Sequence, residues 1–279
     1  MTPTDLSGRT IVITGASSGI GASAARTLSA RGATVIAVGR DAERTTAVAA
    51  DLGTEPLLAD FGRLDDVRSL ADALLARLDR IDVLVHNAGA VVHQQRRTVD
   101  GFELTIQANC LAPFLLQRLL TERLSDSRAH TVVTSSAAHR LGRVDVDTVF
   151  EVAPRHRAMA VYGTSKLVDL MWARALARRT ADTGVTAVAC HPGVVRSSFA
   201  DGSPAVMRWF YRSRAGRLVT ISNAEGAEPL VHLASMDRPE TVNGQYFDRM
   251  TPNARISTQA ADDQLGERLW ERAEQVLGL

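Results

Sequence analysis

Short, nearly unbroken apolar runs alternate along the chain with longer segments whose apolar residues recur every three or four positions. Ile11, Val12 and Ile13 read as a strand. Ala22 through Arg31 is alanine-rich, with Leu28 at helical spacing from Ala24 and Ala25, and reads as a helix. Gly32 stops it, and the mostly β-branched stretch Thr34 to Val38 forms a second strand, completing a βαβ unit. The alternation continues with Pro56 to Ala59, a helix around Val67 to Leu78, and Ile81 to Val85 ahead of Asn87-Ala88-Gly89. A helix carrying Ile106 to Leu120, a strand Thr131 to Thr134, a helix from about Tyr162 to Arg179 and a strand Thr186 to Ala189 follow. Strands apolar on both sides and separated by helices predict an α/β fold: a doubly wound parallel sheet in one domain, with helices on both faces. Right-handed crossovers bring the C-terminal strand ends to one edge, where ligands bind at the switch point.

The turn between the first strand and helix reads Thr14-Gly15-Ala16-Ser17-Ser18-Gly19-Ile20-Gly21. Gly15 permits a tight turn, Gly19 lets backbone N–H groups approach phosphate oxygens, and Gly21 lets the helix pack close to the sheet. Ser17 and Ser18 add hydroxyl donors. A dinucleotide pyrophosphate fits such a cradle, but so does a purely structural turn.

Composition narrows the classes. The 279 residues suit one α/β domain, and 45% hydrophobic content suffices for a sheet covered on both sides. Thirty-two basic against 31 acidic residues leave +1, so no global field draws nucleic acid or an anionic membrane. Cys110 and Cys190 lie in apolar segments, which suits buried thiols in a reducing compartment; no metal site is expected. With no signal sequence and no apolar run near the roughly 18 residues that span a bilayer, a soluble cytoplasmic protein is expected.

Tyr162 and Lys166 stand four apart, on one face of a helix, where the ammonium can act on the phenol. A free tyrosine ionises at about 10, so it exchanges protons near neutrality only beside a cation. Taken alone, the pair also reads as a surface tyrosine beside a solvated lysine. Ser136, at the end of its strand, is either a hydrogen-bond donor to a substrate oxygen or a helix cap. Asn109 offers an amide near the lysine, or a locally satisfied buried group.

Together these residues resemble the short-chain dehydrogenase/reductase family. Thr14 to Gly21, Asn87-Ala88-Gly89, Asn109, Ser136, Tyr162 with Lys166, and Pro192-Gly193 match it in order and approximate spacing, from Gly8 to the C-terminus. The resemblance implies a Rossmann-type fold with Asn109, Ser136, Tyr162 and Lys166 as the catalytic set. In it Tyr162 is the general acid of reduction and base of oxidation, and Lys166 lowers its pKa and binds nicotinamide ribose. Ser136 orients the carbonyl, Asn109 supports a proton-relaying water, and Ser135 is structural. It places Gly15, Ser17, Ser18, Gly19, Ile20 and Gly21 at the pyrophosphate, with Asp60 and Phe61 at the adenine. Asn87, Ala88 and Gly89 would follow the adenosine ribose, and Pro192, Gly193, Val194, Val195 and Ser197 the nicotinamide. His86 departs from the more usual asparagine, with consequences for packing alone. Charge speaks to the cofactor: Gly39 stands where NAD-preferring relatives carry an acid, and Arg40 follows in the phosphate-reading position, with Arg44 near. NADP(H) is expected, with NAD(H) the alternative; Asp41 beside Arg40, and Ser18 in place of a second basic residue, weigh against it.

The stretch His139 to Arg143, Tyr162 to Leu167, His191 to Val195 and Asn243 to Phe247 resemble the retinol-dehydrogenase-like branch, which implies a carbonyl or alcohol substrate of moderate hydrophobicity. Residues 196–217 are expected as a lid, in which Val206 to Tyr211 covers substrate, closes the core as a helix or forms a subunit contact. His93, Gln94, His139 and Phe199 are further pocket candidates, and Arg208, Arg212, Arg214 and Arg217 either greet an acidic substrate or form a solvated face. The terminal helix with Leu265, Leu269 and Val276 is expected to pack on the core or a partner subunit, and the family resemblance implies a homodimer or homotetramer. The competing function is a non-catalytic dinucleotide-binding sensor, for which a proton-donating tyrosine would be superfluous.

Overall fold

The computed structural model describes residues 4–153, 155–194 and 221–279. Its centre is β1 (Thr10–Thr14), flanked by β2 (Thr34–Gly39) and β4 (Val83–His86). The sheet runs β3-β2-β1-β4-β5-β6-β7 with every pair parallel; β3 is Leu57–Leu58, β5 His130–Thr134, β6 Thr186–His191 and β7 Tyr246–Asp248. The order reverses between β1 and β4, which makes the C-terminal edge of those strands the switch-point crevice. The central strands are buried on both faces because helices cover both.

One face carries α1 (Gly19–Ser29), α2 (Ala42–Leu52) and α8 (Asn223–Ala234), whose Ala24, Ala25, Leu28, Leu230 and Leu233 pack on Ile11, Ile13, Val35 and Val188. The other carries α3 (Leu64–Arg77), α5 (Ala112–Leu119), α7 (Ala158–Arg179) and the final helix α10 (Asp263–Leu277). Trp172, Phe114 and Leu74 are fully buried there, each contributing about 1.5–3 kcal/mol by leaving water. The short helices α4 (Leu104–Ile106), α6 (Thr121–Ser127) and α9 (Thr258–Ala261) complete the described α-helices.

Several boundaries differ from expectation, each for a local reason. α1 begins at Gly19 rather than Ala22, because Gly15 (φ 68°) and Gly19 (φ 60°) turn the chain into the helix without a linker. The strand expected over Pro56 to Ala59 shrinks to two residues, since β3 is an edge strand that meets β2 only at Val38 and Gly39. α2 went unrecognised, although Asp41 caps its start and Gly53, at φ 67°, ends it. The helix expected over Ile106 to Leu120 is interrupted: Gln107–Leu111 form a π turn between α4 and α5. The terminal helix packs on its own chain's core. Leu269, Trp270 and Ala273 are buried, Arg178 bonds Asp263 at 2.7 Å and Glu267 at 2.8 Å, and Arg118 and Arg179 both stack on Trp270. Among the described residues no helix is long and apolar enough to cross a membrane.

Candidate active site

The crevice is built from the ends of β1, β4, β5 and β6. Thr14 closes β1, and its Oγ1 accepts from the backbone N–H groups of Asn87 (3.0 Å) and Ala88 (3.1 Å), tying β1 to the turn after β4. Asn87 Nδ2 donates to the carbonyls of Thr14 and Gly15, while Asn87 Oδ1 is buried without a hydrogen-bond partner. A Cβ on Gly15 would come within 2.8 Å of Ala88 Cα, and one on Gly21 within 2.5 Å of Asn87 Nδ2. The glycine turn and the Asn87-Ala88-Gly89 turn are therefore in direct contact. α1 opens with Ser18 at its N-cap, but the hydroxyl makes no capping bond and the first turn holds no acid. By contrast, α2, α8 and α10 are capped by the side chains of Asp41, Ser222 and Asp262. The positive end of α1, flanked by Ser17 and Ser18, is thus open to an anion. Ile20 packs on the core below the turn.

The π turn aims Asn109 sideways. Its Oδ1 accepts from the Ala90 N–H at 2.8 Å, and its Nδ2 donates to the Ala90 carbonyl and Ser165 Oγ, both at 3.0 Å. Asn109 thus clamps the loop after β4 to α7, its amide holding the Ala90 backbone close to Lys166. Ser165 Oγ in turn donates to the Tyr162 carbonyl at 2.8 Å, and Ser135 Oγ to the Lys166 carbonyl at 2.7 Å. Gly142 and Gly163 allow the loop after β5 to lie on α7: a Cβ on Gly163 would fall 2.8 Å from the Ala138 carbonyl. That approach brings Ser136 to the Tyr162 turn. Ser136 Oγ accepts from the Ala138 N–H at 3.2 Å, capping a short 3-10 turn, so it is a cap that retains an O–H to donate.

Lys166 is buried, with its ammonium 5.9 Å from the Tyr162 ring centroid and bonded to the Thr134 carbonyl (2.9 Å) and Asp169 Oδ2 (2.8 Å). A Cβ on Gly89 would sit 3.3 Å from both Lys166 Nζ and Asn109 Oδ1, so the glycine lets backbone pass beside the lysine. Burial pulls the Lys166 pKa down, but Asp169, Tyr162 and Cys110 outweigh it and the net shift is upward. Burial raises the Cys110 thiol well above its ordinary range and Cys190 to about 12, so both stay protonated near neutrality.

Other expected residues fall as follows. Arg40 is exposed and 3.9 Å from Asp60, and Asp41 spends its carboxylate on the Arg44 N–H at 2.9 Å. Phe61 turns its ring into the core, leaving only backbone for an adenine, and Asp60 accepts from the Gly62 N–H. Pro192 is buried, and Gly193, at φ 100°, lies against Ile221. His139 is buried, its Nδ1 2.7 Å from the Ser136 carbonyl; His93 is half-buried and Gln94 exposed. His86 is buried against Trp172 and hydrogen-bonded to Gln117. Val195, Ser197, Phe199, the 196–217 stretch with Val206 to Tyr211, and Arg208, Arg212, Arg214 and Arg217 lie outside the described residues. Sequence reasoning missed Asp169, although it stands three residues after Lys166 and so shares its helical face. It also passed over a sharper signal: position 166 holds the one lysine in the chain, every other basic residue being arginine. A compact ammonium was kept where composition favours a guanidinium.

Comparison with known proteins agrees with this geometry. The family model described as short chain dehydrogenase matches residues 9–205. A protein of Streptomyces sp. (strain C5), named provisionally for daunorubicin C-13 ketoreduction, is 41% identical over 98% of this chain and 94% of its own length. Human retinol dehydrogenase 13 is 32% identical over 98% of this chain and 85% of its own. A solved structure from Beutenbergia cavernae, described provisionally as an NAD(P)-dependent gluconate 5-dehydrogenase with NADP bound at low occupancy, superposes with a TM-score of 0.71 at 27% identity, covering 88% of this chain and 97% of that one. A seven-stranded parallel sheet with a tyrosine–lysine pair at its switch-point edge, and relatives that match over nearly the whole chain, have one reading: the protein is an oxidoreductase of the short-chain dehydrogenase/reductase family, in its retinol-dehydrogenase-like branch.

Proposed function

We propose that the protein is an NADPH-dependent carbonyl reductase acting on a small ketone or aldehyde of moderate hydrophobicity, and on the corresponding alcohol in reverse. The observation that carries this reading is the Lys166 ammonium held 5.9 Å from the Tyr162 ring, beside Gly89 and Asn109, with the Ser136 hydroxyl on the adjoining strand end. A nicotinamide held beside Lys166 and Gly89 would supply the hydride when bound. Tyr162 gives its phenolic proton to the carbonyl oxygen as charge develops there, and the Ser136 O–H donates to that same oxygen. Lys166 provides the nearby positive charge and one N–H for the cofactor ribose. Asn109 fixes the loop and helix that carry these groups.

The uncapped, acid-free start of α1 and the orphaned Asn87 Oδ1 suit a dinucleotide with its pyrophosphate at Ser17 to Gly21. Preference for the 2′-phosphate rests on Gly39 and Arg40. A Cβ on Gly39 would run into Thr45 Oγ1 and lie 2.9 Å from Ser17 Cβ, which leaves little room for a ribose-binding acid, while the Arg40 guanidinium is exposed, 3.9 Å from Asp60. The Beutenbergia structure with NADP and the ketoreductase name of the Streptomyces relative point the same way. Support for an apolar substrate comes from the exposed Leu141, Met159, Val194 and Met250, all on segments that emerge at the C-terminal sheet edge or beside Tyr162. In this reading the chain is one catalytic domain.

The test is NADPH oxidation with a panel of apolar ketones and aldehydes. Tyr162→Phe should lower kcat/KM by about 100- to 10,000-fold while leaving NADPH binding intact. Undiminished turnover by that variant would remove the catalytic assignment and leave the sensor.

A further inference from the structure

Behind the Tyr162–Lys166 pair lies a carboxylate that the reaction as described does not use. Asp169 is buried, as is Lys166, and the two meet at 2.8 Å. The other Asp169 oxygen accepts from Trp172 Nε1 at 3.3 Å, and the Trp172 ring is itself held edge-on by His86 and Phe114. The carboxylate is therefore fixed on both sides. With the Thr134 carbonyl it takes two of the three N–H groups of the ammonium, leaving one to face the crevice.

Charge gives this geometry a consequence. Cys110 on the π turn, Cys190 on β6 and Tyr246 on β7 face the Tyr162–Lys166 pair and are held protonated and neutral by burial. Burial also holds His86 on β4, His139 after β5 and His191 on β6 toward their neutral forms. Glu103, at the start of α4, acts on Cys110, and Asp248 and Arg140 act on Tyr246 and His139. Burial also raises the Asp169 carboxyl above its ordinary range, opposed by the Lys166 ammonium and by its bonds to Lys166 and Trp172; the 2.8 Å contact makes this carboxylate the group of opposite charge closest to Lys166 among the described residues. Tyr162 faces an ammonium–carboxylate pair rather than a lone cation, and such a pair stabilises a phenolate less.

We propose that Asp169 is a positioning residue for the reaction. It fixes the Lys166 ammonium against the Thr134 carbonyl and, by its charge, keeps Tyr162 a proton donor to higher pH, favouring carbonyl reduction over alcohol oxidation near neutrality. The proposal rests on the reading of Tyr162 and Lys166 given above. Asp169→Asn keeps the shape of the side chain and removes its charge, so the first proton leaves the Tyr162–Lys166 pair at lower pH, whichever member releases it.

Two measurements test it. In the pH profile of NADPH-dependent reduction, the alkaline limb of kcat/KM should move about one pH unit or more toward acid in Asp169→Asn, since a unit charge removed beside the pair is screened only by an effective dielectric near 20. Trp172→Phe, which removes the indole bond but keeps the carboxylate, should leave the limb in place. A purely structural Asp169 predicts that the two variants behave alike, and superimposable limbs in wild type and Asp169→Asn would overturn the proposal. The second measurement needs no turnover: with lysine at position 166 alone, 15N-lysine labelling yields one Nζ resonance. In the wild-type protein it should remain an ammonium signal above the ordinary lysine value of about 10.4, and titration at or below that value would overturn the proposal even if Asp169→Asn did not fold. A turnover-competent Tyr162→Phe would instead sink the catalytic reading itself, so the two failures are distinct.

Discussion

At the scale of single residues, the proposed preference for NADPH turns on the last residue of β2 and the two that follow it. Gly39 is closed in by Ser17 and Thr45, Arg40 stands in solvent 3.9 Å from Asp60, and Asp41 is committed to capping α2. The Arg40–Asp60 contact is exposed and long, so it contributes little stability and leaves the guanidinium available. A charge-assisted bond to a phosphate is worth about 1.5–3 kcal/mol, so Arg40→Ala should weaken NADPH about 10- to 150-fold and NADH hardly at all. Fluorescence titration with both cofactors measures this, and equal losses would remove the phosphate contact. Gly39→Asp should not convert the enzyme to NADH, even with Thr45 cut back to alanine, because the new Cβ would still lie 2.9 Å from Ser17 Cβ. Arg40 and Gly39 were legible in the sequence. The role of Asp41 was not, because an acid beside an arginine looks like competition until the helix that it caps is seen.

At the scale of elements, the π turn at Gln107–Leu111 decides where Asn109 points. Hydrophobic spacing shows a helix through this region but not a local change to i→i+5 bonding, since one extra residue in a turn scarcely alters the pattern of buried positions. Asn109→Ala would leave the Ala90 N–H and carbonyl without the amide and free the loop after β4 from Ser165. The expected cost is about 2–4 kcal/mol in urea unfolding, from stranded buried groups, together with a fall in kcat. A loss below about 0.5 kcal/mol would show that the clamp holds nothing. The glycine turn was legible at this scale because its function is backbone conformation, which sequence reports directly. Its contact with Asn87 was not, because the two turns lie some seventy positions apart.

For the whole molecule, the buried histidines tie stability to pH. His86 and His130 are both fully enclosed, and burial presses each from the ordinary 6.5 down to about 4. Protonation therefore favours the unfolded chain between those values. The stabilisation is present in full above about pH 6.5 and is lost as pH falls toward 4, by roughly 3 kcal/mol for each histidine. Thermal melts from pH 7 to 4.5 should show that decline, and His86→Asn should flatten it; an unchanged slope would refute the assignment. What the sequence determined by itself were features written in local order: the alternation of strands and helices, the phosphate-type glycine turn, Ser136, and the Tyr162–Lys166 spacing of one helical turn. What only the tertiary structure decided were relations between distant segments: which helices cover which face, the fixing of Asn109 to Ala90 and Ser165, and the packing of the final helix on α7. Even Asp169, three residues from Lys166, gained its meaning there. The reason is physical: a carboxylate three residues from a lysine is a weak surface pair in water, and becomes a governing charge only when the Thr134 carbonyl, Trp172 and the sheet exclude solvent from both.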